Sequence, residues 1–205
     1  MTTVGRWNPN KVRERVLNGT WVSAEELGGM VLLTPTSIAY TGTSATVGTN
    51  GSVEFSAVTS LSLNGVFSAD YDNYMIVAWH TLASGGNTFF MRLRATTDNS
   101  TTNSYVSQSL DAYSTTVGGS RYTADQGVCS TANDSQRHGM ELKVYGPYIA
   151  QPTAWRSVTV SGSSGAQIND RAGTHNQSVS YDGITFYPGS SSLTGLVSVY
   201  GLVGA

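Results

Sequence analysis

Along most of this chain apolar and polar residues trade places at every second position, the period of a half-buried β-strand. Residues 89–95 set Phe89, Met91 and Leu93 against Phe90, Arg92 and Arg94, so one face is apolar and the other carries two arginines. Residues 140–144 alternate around Glu141 and Lys143, and the tail sets Val197 and Val199 against Ser198 and Tyr200. Residues 74–79 are almost continuously apolar, which predicts a central strand covered on both faces. Asn50-Gly51, between residues 45–47 and 53–58, is a strong hairpin signal, because both residues tolerate the positive φ of a two-residue turn. Asp182-Gly183, between residues 179–181 and 184–187, predicts a second hairpin. The polar stretches 98–103 and 115–137 read as exposed loops. About nine or ten short strands with turn punctuation, and no strand–helix alternation, predict an all-β fold, an antiparallel β-sandwich of jelly-roll-like form.

The first thirty residues follow a different pattern. Residues 10–17 read as one short helix, capped by Asn8 or Asn10, striped by Val12, Val16 and Leu17, and stopped by Gly19. Ser23 stands three residues before Glu26 in a capping-box arrangement, and Gly28-Gly29 ends that turn. Helices this short are not stable alone. Trp7, Val12, Val16, Leu17 and Trp21 therefore need a surface to pack on, either their own domain or a neighbouring subunit. The chain divides accordingly into a partly helical anchoring arm, residues 1–30, and a β-sandwich domain, residues 31–205.

Composition sharpens this picture mostly by exclusion. The chain has 205 residues, 12% of them charged, with 23 glycines and about a quarter Ser plus Thr. Its poverty in Glu, Lys and Leu excludes a helical bundle, and 39% hydrophobic residues exclude a disordered chain. The net charge of −2 provides no footprint for nucleic acid or an anionic membrane. No apolar run is long enough to span a bilayer as a helix, and residues 1–10 lack the apolar core of a signal peptide. Synthesis in a cytoplasm is therefore expected, with any journey outward made as part of an assembly. Cys129 is the single cysteine, which excludes an intrachain disulfide and reads as a small core filler.

Candidate chemistry is sparse. His80 falls in a core-like strand, while His138 and His175 lie in polar stretches, and none has a partner at a metal-ligand spacing. There is no nucleophile elbow, phosphate loop or dinucleotide fingerprint, so neither an enzyme nor a bound cofactor or metal is expected. Asp70-Tyr71-Asp72-Asn73 has the start of a calcium loop but reads better as a turn into the next strand. Tyr105, Tyr113 and Tyr122 lie in polar surroundings and are candidates for glycan contact, with subunit interfaces or the core edge as the alternative. Arg92 and Arg94 are candidates for reaching acids on a neighbouring subunit.

One ordered series of segments adds a resemblance. It runs from Thr34-Pro35-Thr36-Ser37-Ile38-Ala39 through Asn50-Gly51-Ser52-Val53 and Ser60-Leu61-Ser62-Leu63-Asn64-Gly65-Val66-Phe67 to Tyr71-Asp72-Asn73-Tyr74. It continues through Phe90-Met91-Arg92-Leu93-Arg94 and Ser180-Tyr181-Asp182-Gly183-Ile184-Thr185-Phe186 to Gly195-Leu196-Val197-Ser198-Val199-Tyr200-Gly201. The series resembles the β-sandwich domain of tailed-bacteriophage virion proteins of the minor tail protein type, over about residues 31–201. The resemblance implies a non-enzymatic virion component that is a homotrimer, bound to other virion proteins and located on the phage tail, with contact to a host-surface glycan as a further role. A capsid decoration or cementing protein, and a carbohydrate-binding module, are the alternatives. With only about thirty residues ahead of the domain, a compact knob is expected in place of a long fibre.

Overall fold

The computed structural model describes residues 29–204, apart from 85–86, 97, 133–134 and 162–166. The anchoring arm, with Trp7, Val12, Val16, Leu17 and Trp21, lies outside the described residues. Those residues form fourteen strands and no helix: β1 (Met30–Leu33), β2 (Ser37–Val47), β3 (Val53–Asn64), β4 (Asn73–Leu82), β5 (Asn87–Ala95), β6 (Asp98–Asn99) and β7 (Tyr105–Tyr113) come first. β8 (Thr116–Ala124), β9 (Gly127–Ala132), β10 (His138–Tyr145), β11 (Thr153–Ser161), β12 (Gln167–His175), β13 (Gly183–Pro188) and β14 (Leu193–Leu202) follow. Every pairing is antiparallel. The strands make one sheet in the order β6-β5-β13-β3-β14-β4-β10-β11-β12-β7-β8, with β1 on β14, β2 on β3 and β9 on β5.

The sheet bends at β3. Its first half pairs with β14 and its second half with β13, so one strand serves two directions. The change of partner follows a bulge at Ala57, whose φ is +48° and whose N–H donates to Thr194 Oγ1 at 3.0 Å. An extra residue on one strand bends it and increases its twist. Gly42 faces the bulge across β2, and a Cβ there would stand 2.3 Å from the Ala57 carbonyl oxygen. Only glycine allows the approach.

Bending brings the two ends of the strand order face to face, and the sheet is nearly closed into a barrel. Tyr105 of β7 accepts the Leu93 N–H of β5 at 2.9 Å and donates to the Ser100 carbonyl. Thr131 of β9 donates to Asn169 of β12 at 2.6 Å. Between these contacts lies a core of Leu61, Leu63, Tyr74, Ile76, Met91, Leu93, Leu142, Val144, Trp155, Ile184 and Phe186.

The alternations at residues 89–95, 140–144 and 197–200 all lie in strands, and Asn50-Gly51 turns β2 into β3, with Gly51 at φ +90°. Three expectations need correction. Residues 115–137 are not a loop: they contain β8 and β9. Asp182-Gly183 does not close a hairpin, since residues 179–182 form no strand and bond elsewhere. Tyr181 N–H donates to the Pro147 carbonyl and Asp182 N–H to the Arg94 carbonyl. Finally, β4 is central but not covered on both faces, because Val77 on its outer side is 40% exposed.

Candidate interaction surface

Three neighbouring strands carry their amphipathic pattern the wrong way round for a freestanding sheet. On β11 the inward positions are Thr153, Trp155, Ser157 and Thr159, all buried, while Val158 and Val160 point out. On β12 Gln167, Asn169 and Arg171 point in and Ile168 points out; on β7 Ser107 and Ser109 point in and Leu110 points out. A one-residue register slip would reverse this, and the register is instead held by the Arg171 guanidinium, which reaches Asp111 and Thr131 at 3.4 Å each. Burial lowers the Arg171 pKa and the charge of Asp111 opposes that shift.

The outward residues line up by register. One row crosses the sheet as Leu196, Trp79, Gly139, Val160, Ile168, Ala112 and Val117. The next row alternates apolar and charged residues as Val77, Glu141, Val158, Asp170 and Leu110. Val160 is 51% exposed, Ile168 50%, Leu110 59% and Val117 68%. With strands about 4.8 Å apart, the first row is a continuous apolar band of roughly 29 Å. Isolated exposed apolar residues are ordinary, whereas a contiguous band marks an interaction surface. The Arg137 guanidinium covers one end of the band, 4.0 Å from the centre of the Trp79 ring.

Beside the band the same face is concave. Two adjoining grooves, of about 530 and 590 Å³, are floored by Ala154, Ala172, Gly173 and Gly119 and walled by Tyr145, Gln108, Arg121 and Arg156. Gly173 lies at an inward position beneath this face, where a Cβ would lie 2.4 Å from the buried Trp155 ring. Arg156 spans to Asp170 through two hydrogen bonds, Nε to Oδ1 at 2.9 Å and the second to Oδ2 at 2.5 Å. That pairing lowers the Asp170 pKa and raises that of Arg156.

Other candidate residues are placed apart from this surface. Tyr105 is 1% exposed and stacks on His175 with ring centres 3.9 Å apart, so it belongs to the core and offers nothing to a glycan. Tyr113 lies at the β7–β8 turn and Tyr122 toward the far end of β8, both exposed. The three tyrosines do not form one platform. Arg92 bonds to Asp125 within the chain, and Arg94 is buried, donating to Asn64 Oδ1 at 2.9 Å and Thr185 Oγ1 at 3.0 Å. Both are engaged within the chain. Asp70 sits in a turn with Ser68, whose hydroxyl donates to its carboxylate at 3.0 Å, and Asp70 N–H returns to the Ser68 oxygen at 3.2 Å. Among the described residues no three His, Cys, Asp or Glu side chains converge.

The histidines also prove to be inward-facing. His138 opens β10 and His175 closes β12, and both are buried in place of lying in loops. His80 stacks between Phe89 and His138, with ring centres 4.5 and 5.3 Å away. Burial, helped by His138, lowers its pKa to about 3. His175 is held by the Ser100 hydroxyl at 2.9 Å and the Ser104 hydroxyl at 3.0 Å, and burial lowers its pKa to about 4. Both rings are neutral at pH 7. Cys129 is buried, and burial pushes its thiol pKa up, which suits a filler.

The outer apolar band escapes the sequence pattern because alternation has no sign. It shows which residues share a face without showing which face is inside. No protein-family model matches the chain, and no curated protein is similar to it.

Proposed function

We propose that this chain is a structural component of a tailed-phage virion, a small surface-exposed minor tail protein that its residues 1–30 attach to the particle and that assembles as a homotrimer. The observation that carries the reading is the inverted face of β7, β11 and β12. A sheet with serines, threonines, asparagine and arginine inside and Val158, Val160, Ile168 and Leu110 outside has its outer side built to be covered. A protein whose work is assembly needs such a face; the segments that resemble phage tail domains lie in other strands, β2 to β5, β13 and β14. In this reading the curled sheet is a flattened sandwich of jelly-roll-like form, with the arm at its start.

The test is immunogold labelling of purified particles with an antibody against the β domain. Gold at the tail tip or baseplate supports the proposal. Gold spread over the capsid replaces it with a decoration or cementing protein, and particles without label refute both. The arm has its own test: a chain lacking residues 1–29 is expected to keep its β-sheet circular dichroism and to be lost from particles. A truncated chain that still incorporates removes the anchoring role.

Host-surface contact is a second role, favoured by the grooves. Tyr145 provides an aromatic wall, and Gln108, Arg121 and Arg156 provide hydrogen-bond donors of the kind that hold sugar hydroxyls. A glycan array probed with the full chain and with Tyr145→Ala tests it. Binding that is weakened by the substitution supports the groove, and an array without signal ends this reading.

A further inference from the structure

The edge strand β8 lacks most of the devices that normally keep a sheet edge from pairing. Among the described residues its one hydrogen-bonded neighbour is β7, leaving its other side open. It is nine residues long and contains no lysine, no proline and no bulge; Arg121 is its one charge. Native edges are usually shortened, bulged, covered or charged, because a row of free N–H and C=O groups otherwise templates a further strand. Eight of the nine residues are exposed, which agrees with a strand that hangs beyond the body of the molecule.

The sequence of β8 is complementary to itself. In a twofold antiparallel pair, residues that face each other must point to the same side of the sheet, so the centre falls on a residue and not between two. Centring on Ser120 pairs all nine residues: Thr116 with Ala124, Val117 with Thr123, Gly118 with Tyr122 and Gly119 with Arg121. Both glycines then face a large side chain of the other copy. Glycine in a strand leaves an unfilled place, and an aromatic residue across from it is the arrangement that restores packing. The space is there: a Cβ on Gly118 would meet nothing within 4 Å, and one on Gly119 only the Ser109 carbonyl oxygen at 3.1 Å. Centring on Arg121 would set two arginines directly opposite, and centring on Gly119 would set glycine against glycine; both are poorer.

We infer that β8 is a self-association site, where a second copy of this chain adds its own β8 antiparallel, centred on Ser120, with Tyr122 of each copy lying over Gly118 of the other. The pairing joins two sheets edge to edge, with Val117 at the end of each apolar band opposite Thr123 of the other copy. It is twofold, so it is a different contact from the one that builds the proposed trimer, and it stands whether or not the chain belongs to a virion.

The full chain carrying Ser120→Cys tests both the surface and the register. Directly opposed Cα atoms in an antiparallel pair are about 4.5–5.5 Å apart, within the range a disulfide spans. Mild oxidation followed by a non-reducing gel is expected to give a dimer band at twice the 21.7 kDa chain mass. Cys129 is buried and contributes no cross-link. Thr116→Cys is the matched control, because its own counterpart lies eight residues along the paired strand, about 27 Å away, and it is expected to remain monomeric on the gel. In sedimentation, Gly118→Lys, which places a charge under Tyr122 of the second copy, is expected to weaken dimerisation at least tenfold. A folded Ser120→Cys protein that cross-links no better than Thr116→Cys overturns the proposal. A Gly118→Lys protein that associates like the unaltered chain overturns the register.

Discussion

Tyr105 separates a core role from a surface role with the loss of a single oxygen atom. Its hydroxyl accepts the buried Leu93 N–H at 2.9 Å and donates to the Ser100 carbonyl at 3.2 Å, so it ties β5 to β7 across the closing sheet. Tyr105→Phe keeps the ring stacked on His175 and tilted against Trp155, and it removes only these two bonds. The lost bond to Ser100 is worth about 1 kcal/mol, and an orphaned buried N–H costs about 1–3 kcal/mol more. A total of about 2–4 kcal/mol corresponds to a melting temperature lower by roughly 4–16 °C for a chain of this size. Thermal unfolding followed by circular dichroism measures it. Tyr113→Phe, on a side chain 54% exposed, is the control and is expected to change stability by less than about 0.5 kcal/mol. If Tyr105→Phe melts within about 1 °C of the unaltered protein, the hydroxyl does not bridge the sheet and the argument for closure at β5 and β7 is wrong.

The remaining expectations concern the packing at Trp155, the histidines and the outer band. Gly173→Ala forces a methyl group toward the Trp155 ring at 2.4 Å and the Val106 carbonyl at 2.5 Å, so it should cost about 3 kcal/mol, read as a fall in the urea midpoint. His80 has a folded pKa of about 3 and an ordinary unfolded value near 6.5. Between those values the unfolded chain binds a proton that the folded chain refuses, so stability is full above about pH 6.5 and falls as pH drops toward 3. His175 adds the same sign between about 6.5 and 4, and His80→Phe should flatten the slope of urea midpoint against pH between pH 5 and 7 without abolishing it. Val160→Lys combined with Ile168→Glu puts opposite charges on a directly opposed exposed pair, so the fold should stay within about 0.5 kcal/mol while particle incorporation, measured by immunoblot of purified virions, is lost.

What could be read from the chain depended on whether a strand had two unlike faces. β10 buries one face in clean alternation, and β5 and β14 do so apart from the buried Arg94 and Ser198. The β2–β3 turn shows because Gly51 needs a positive φ that few residues tolerate. β8 was invisible for the converse reason: it is exposed on both sides, so neither face requires apolar residues, and two central glycines disguise it as a loop. His138 and His175 looked like loop residues because the inside they face is itself polar; His175 is held there by the Ser100 and Ser104 hydroxyls. The candidate surface was half legible. Residues 74–79 announced two apolar faces, and the missing fact was that only one of them is covered by this chain.

That missing cover connects the fold to its use. Inside the sheet, the serines and threonines of β7 and β11 forgo part of the apolar burial that usually drives a sheet to close. The strands hold their orientation through Arg171, Asp111, Thr131 and Asn169, directional contacts that specify a register more than they add stability. Reversing the faces would bury Val158, Val160, Ile168 and Leu110 and gain about 1.5–3 kcal/mol for each large apolar side chain. It would also expose the polar network that fixes where β9 lies. In the proposed assembly another protein takes the place of water over those residues. The low charge of the surface acts in the same direction, since few ionic groups must be desolvated when another protein closes over it. In the proposed assembly the apolar band and the bare β8 edge are parts of one design, a sheet whose outer face and open edge are completed by its neighbours.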